Sequence, residues 1–172
     1  MRQITSLALA ALLTLSLAAC GGKSAQTQDL SPEERTALYQ NAIEGARDQE
    51  TNEAVPVVIS EDGDMASLIL PMLGITAENT TSYAAAVSAM NVRAYGVAAV
   101  MPAAGKEEEV RDGLEHFVES QQQSFEQYLA DQYEIAKNAR LETLADGTLL
   151  LVMCPDQDAV FDSIRDTIEA GG

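Results

Sequence analysis

Few side chains in this sequence are suited to chemistry. His116 is the only histidine, and Cys20 and Cys154 are the only cysteines. A general base needs an orienting partner and a pocket to work in. His116 falls between Leu114 and Phe117 in an apolar series of helical period, which turns it toward solvent, away from both. Cys154 closes the apolar run Leu149–Cys154. A nucleophilic thiol wants its pKa lowered by a cation or a helix N-terminus, and a helix starting near Asp156 offers the second. The competing reading is a small buried core residue, the commoner state of an unpaired cysteine. Glu61-Asp62-Gly63-Asp64 looks faintly like a calcium loop but lacks the glycine at loop position six and the glutamate at position twelve. Helix capping accounts for these acids more simply. No HExxH, CxxC, GxSxG or phosphate-cradling glycine loop is present. The expectation is no cofactor, no metal site and no enzymatic activity; the alternative is an envelope hydrolase or transferase using Cys154 or acidic side chains.

Cys20 points to a different chemistry. Met1-Arg2-Gln3 is a short basic start, Ile4–Leu17 is a mostly apolar run, and Leu17-Ala18-Ala19-Cys20 ends it. A charged start, a 7–15-residue apolar stretch and a small-residue cleavage site describe a secretory leader, too short for a permanent span of about 20 residues. The tetrapeptide resembles the bacterial lipobox. That resemblance implies a diacylglyceryl thioether on Cys20 and cleavage just before it. Two acyl chains anchor a protein stably where one does so only marginally. The domain plan is therefore a signal peptide over 1–19, a lipidated cysteine and flexible tether over 20–30, and one domain over 31–172. The expected location is the extracytoplasmic face of the cell membrane.

Charge narrows the partners. The chain carries 10 Lys and Arg against 27 Asp and Glu. Loss of Arg2 with the leader leaves nine cations and a formal charge of −18. Such a surface repels phosphate backbones, so nucleic acid is excluded, and it repels anionic headgroups as well. The membrane is then reached through Cys20 alone, and an envelope protein or glycan is the expected kind of further partner. With Cys20 acylated, Cys154 has no partner for an intramolecular disulfide. About 140 residues beyond the tether suffice for one self-supporting core.

Local signals place the elements. Ser31-Pro32-Glu33-Glu34 has the form of a capping box with proline at the first helical position, and predicts a helix from 32 to about 50. Asp62 or Asp64 is expected to cap a second helix with the face Met65, Leu68, Ile69, Met72 and Leu73, stopped by Gly74. Thr81–Met90 and Ala94–Met101 read as a hairpin broken at Asn91-Val92-Arg93. A long helix from about 106 to 128 follows, with Glu107, Glu108 and Glu109 favoured at its N-terminus by the helix dipole. A short helical turn over 131–138 carries Tyr133 and Ile135; Tyr128, Tyr133 and Asn138 either line a groove or, as tyrosines at helix ends more often do, pack their rings and hydrogen-bond their hydroxyls. Asp146-Gly147 between 140–145 and 148–154 is a strong hairpin signal. Leu149–Met153, apolar at every position, predicts a central strand, and a final helix carries Val160, Phe161, Ile164 and Ile168. The expected fold is an α+β two-layer sandwich: a four-stranded, mostly antiparallel sheet of two hairpins with helices packed on one face.

Several of these stretches carry a family likeness. Met90-Asn91-Val92-Arg93-Ala94, Lys106-Glu107-Glu108-Glu109-Val110, Phe125 with Tyr128, Gln132-Tyr133-Glu134 leading to Asn138-Ala139, and Asp146-Gly147 together resemble a family of small bacterial lipoproteins, domain of unknown function 4358. The resemblance implies a lipid-anchored extracytoplasmic protein without assigned activity, and it transfers no catalytic residue. The leading functional expectation is a non-enzymatic binding or accessory module of the cell envelope.

Overall fold

A computed structural model describes residues 30–171. The expected signal peptide, Cys20 and all but the last residue of the proposed tether lie outside these described residues.

Ten elements follow one another: α1 Pro32–Gly45, α2 Gln49–Ala54, α3 Asp64–Met72, β1 Thr80–Val87, β2 Gly96–Pro102, α4 Glu107–Phe125, α5 Ala130–Lys137, β3 Arg140–Thr143, β4 Leu149–Met153 and α6 Gln157–Gly171. The strands form one antiparallel sheet in the order β1-β2-β4-β3. This is the expected α+β fold built on two hairpins, with β4 between β2 and β3 as its two-sided apolarity requires.

Both sheet faces are covered, which corrects the expectation of helices on one face. Successive strand residues point to opposite sides. Ala85, Val87, Ala98, Val100, Leu149 and Leu151 meet Ile69, Leu73, Leu114 and Phe117 from α3, the residue after it, and α4. Their neighbours Ala84, Ala86, Val97, Ala99, Leu150 and Val152 meet Tyr39, Ile43, Phe161, Ile164 and Ile168 from α1 and α6. A strand that is apolar at every position needs cover on both sides. The small side chains of Ala84, Ala85, Ala86, Ala98 and Ala99, all fully buried, let those helices approach closely.

Helix starts obey their local chemistry. The Ser31 hydroxyl accepts from the Glu34 amide at 3.2 Å, and the Glu34 carboxylate accepts from the Ser31 amide at 2.9 Å. The helix expected to reach residue 50 stops at Gly45, because Asp48 opens a new one by accepting from the Thr51 amide at 2.7 Å. At α3 neither acid caps: the N-cap is Gly63, with φ at 101° and no side-chain bond.

The buried face of α3 also differs from expectation. Ala66, Ile69, Leu70 and Leu73 are buried, whereas Met65 and Leu68 are 40% and 48% exposed. Nearly every residue of Asp64–Met72 is apolar, so periodicity alone selects no face. The α3–α4 contact helps to select it. A side chain at Gly113 in α4 would lie 2.7 Å from the Leu73 carbonyl, so glycine there lets the end of α3 approach backbone to backbone.

Candidate functional site

The proposed tether joins the domain at the N-terminus of α1. That end is tied to one end of the sheet: the Ser82 hydroxyl donates to the Pro32 carbonyl at 3.0 Å, and Arg35 pairs with Asp146 of the β3–β4 turn at 2.6 Å. Helix α1 then runs 14 residues, about 20 Å at 1.5 Å per residue, to the other end. There the residues after α1, the β1–β2 connection and the residues after β4 enclose a pocket of about 320 Å³. Arg47, Asp48, Thr51, Arg93, Tyr95, Cys154 and Asp156 supply its polar lining.

Arginine chemistry sets this pocket apart. Among the described residues there are eight Lys and Arg side chains. Six are ion-paired: Arg35, Lys106, Arg111, Lys137, Arg140 and Arg165. The two without a carboxylate inside ion-pair distance are Arg47 and Arg93, and both line this pocket. Arg47 Nη1 donates to the Val55 carbonyl at 3.0 Å and to the Tyr95 hydroxyl at 3.3 Å. Its Nε and Nη2 are buried and have no hydrogen-bond partner. The Arg93 guanidinium lies 4.9 Å from the centre of the Tyr95 ring, a cation–π distance. Burial raises the Tyr95 phenol pKa, partly offset by its bond from Arg47. The Asp48 carboxyl is held below its ordinary value chiefly by the Thr51 amide, with weaker help from Arg93 and Arg47.

Cys154 sits in the pocket wall, 2% exposed and unpaired. Burial, reinforced by the Asp156 carboxylate, pushes its thiol up to about 11, although Arg47 and Arg93 pull the other way. The two cations that would activate a cysteine are thus outweighed by desolvation. Iodoacetamide should accordingly label the folded protein at pH 7.5 roughly a hundredfold more slowly than the urea-unfolded chain, since two pH units of thiolate population are lost. The folded rate should climb with pH toward 11. Rapid labelling of the folded protein at pH 7.5 would restore Cys154 as a nucleophile.

The other sequence candidates are scattered. His116 is exposed on α4, which covers the opposite sheet face from the α1–α6 side. Glu61, Asp62 and Asp64 are exposed before and at the start of α3, and no metal-holding group of His, Cys, Asp and Glu occurs among the described residues. Tyr128 is 60% exposed and donates its hydroxyl to the Asn91 carbonyl at 3.2 Å. Tyr133 packs beside the α4-side core, and Asn138 donates to the Glu134 carbonyl at 2.8 Å. Of the two readings for these three residues, packing and hydrogen bonding is the one observed, with Tyr128 reaching across to the β1–β2 connection.

Arg47, Arg93 and Tyr95 were not legible as a site. One signal was present: from Asn79 to Lys106 the chain holds no acidic residue, and Arg93 is the cation in the middle of that stretch.

Fold and site together define a small α+β domain whose sheet is buried on both faces and in which the two cations outside any ion pair among the described residues line one pocket. Residues 59–154, more than half of the chain, match the family described as a domain of unknown function, DUF4358, and the chain belongs to that family. No curated protein and no solved structure matches it. Among the described residues no helix is long and apolar enough to cross a membrane.

Proposed function

We propose that this chain is a lipid-anchored, extracytoplasmic binding module of the bacterial cell envelope, without catalytic turnover. The observation that carries the binding role is the pocket where Arg47 and Arg93, the two cations outside any ion pair among the described residues, converge. A guanidinium with no carboxylate inside ion-pair distance, in a chain with 27 acids, keeps donors for an external partner. Placement supports the same reading. A chain anchored at Cys20 joins α1 at its N-terminus, and the pocket lies at the other end of that helix, about 20 Å from the junction and clear of the anchor. The high thiol pKa of Cys154 favours binding over covalent catalysis.

The anchor is tested by Cys20→Ser. The natural chain is expected to sediment with membranes and to carry a diacylglyceryl adduct by mass spectrometry. The variant is expected to lose most of its membrane association, because the acidic body has no other attraction to anionic headgroups. Equal retention of the variant, or a mature chain without the adduct, removes the anchored reading.

A further inference from the structure

The ligand class follows from the charges around the pocket, given the reading of that pocket as the binding site. We propose that it holds a small zwitterion, one carboxylate with an ammonium group a few ångströms away, the chemistry of a free amino acid. Three observations lead there. Guanidinium groups bind planar oxyanions through paired N–H donors, and Arg47 keeps two buried donors, Nε and Nη2, without an acceptor. Buried unsatisfied donors on a cation are costly, so a ligand oxygen that meets them at the pocket wall recovers a strong, charge-assisted bond. Arg93, fixed over the Tyr95 ring, supplies the second positive group from another part of the chain.

The remaining lining selects among anions. Asp48 and Asp156 also line this pocket, so two carboxylates face the same space as the two guanidiniums. A dianion such as phosphate gains from the arginines and is repelled by the aspartates. A zwitterion satisfies both sets: its carboxylate takes Arg47 and Arg93, and its ammonium takes Asp48 or Asp156. Ala46, Pro155 and Val160 add an apolar wall for a short side chain. The volume, about 320 Å³, lies at the small end of the roughly 300–1,000 Å³ typical of small-molecule sites.

The test is an NMR titration of the mature lipidated chain in detergent micelles, following the Arg47 and Arg93 side-chain N–H signals and the Tyr95 amide. The probes are the free amino acids one by one, then acetate, methylamine and inorganic phosphate. At least one amino acid is expected to give saturable shifts, tighter than acetate or methylamine and far tighter than phosphate. Arg93→Gln removes a guanidinium that stacks on Tyr95 and makes no ion pair among the described residues, and is expected to weaken that binding about tenfold, the worth of one charge-assisted hydrogen bond. Arg47→Gln is expected to do at least as much. Phosphate binding more tightly than every amino acid overturns the zwitterion while leaving the pocket as the binding site. Shifts that persist unchanged in both variants overturn the pocket itself, and the absence of saturable shifts with any amino acid overturns the proposal outright.

Discussion

Leu150→Ala and Leu151→Ala are expected to destabilise the domain by similar amounts, about 3 kcal/mol each within the 2–5 kcal/mol range of buried leucine truncations. The two side chains are adjacent in sequence, fully buried, and point to opposite faces of the central strand β4. Leu150 packs in the core shared with Tyr39, Ile43 and Phe161, and Leu151 in the core shared with Ile69, Leu114 and Phe117. Each truncation removes one methine and two methyl carbons and leaves a space that neighbouring helices fill only in part. For a domain of this size the loss should lower the thermal midpoint by roughly 10 °C per variant. Total stability of such domains is only about 5–15 kcal/mol, so the double variant should be largely unfolded at modest urea concentration. The comparison tests the architecture directly. A sheet covered on one face would make one of the two changes nearly free, and a cost below about 1 kcal/mol at either position would contradict the two-sided core.

Asp146→Ala is expected to cost about 2–3 kcal/mol, from charge and hydrogen bonding rather than apolar volume. The Asp146 carboxylate accepts from Arg35 Nη1 at 2.6 Å, from the Thr148 amide at 3.0 Å and from the Thr148 hydroxyl at 2.9 Å. Thr148 in turn shares a 2.5 Å hydrogen bond with the hydroxyl of fully buried Tyr39. One carboxylate thus shapes the β3–β4 turn, where Gly147 has φ at 91°, and fastens the start of α1 to it. Removing it strands the mostly buried Arg35 guanidinium and two Thr148 donors. Breaking a fully buried ion pair costs 3–5 kcal/mol, and the residual exposure of this pair, 15% and 13%, reduces that figure. Urea unfolding of Asp146→Ala, Arg35→Ala and the double variant should show coupling of about 1 kcal/mol or more between the two sites. Asp146→Asn, which keeps an acceptor for Thr148, should be milder. Additive single effects, or an alanine variant within 0.5 kcal/mol of the natural protein, would show that the turn and α1 are held independently.

Some features of this protein are written within a few consecutive residues, and those were legible. Ser31 and Glu34 satisfy each other's amides because a capping box closes over one helical turn. Asp146-Gly147 makes its turn because glycine takes positive φ without strain. Leu149–Met153 had to be a central strand because apolar side chains at every position cannot face water on either side. The processing expected at Cys20 also rests on sequence, since it lies outside residues 30–171. Tertiary structure decided the rest. It placed helices on both faces of the sheet and turned Met65 and Leu68 outward, a choice that an almost wholly apolar helix cannot make from its own period. It also brought Arg47, Arg93 and Cys154 to one pocket from three separate stretches of chain. That convergence depends on hairpin register and on the length of α1, quantities set by packing across the whole domain rather than by any local run of residues.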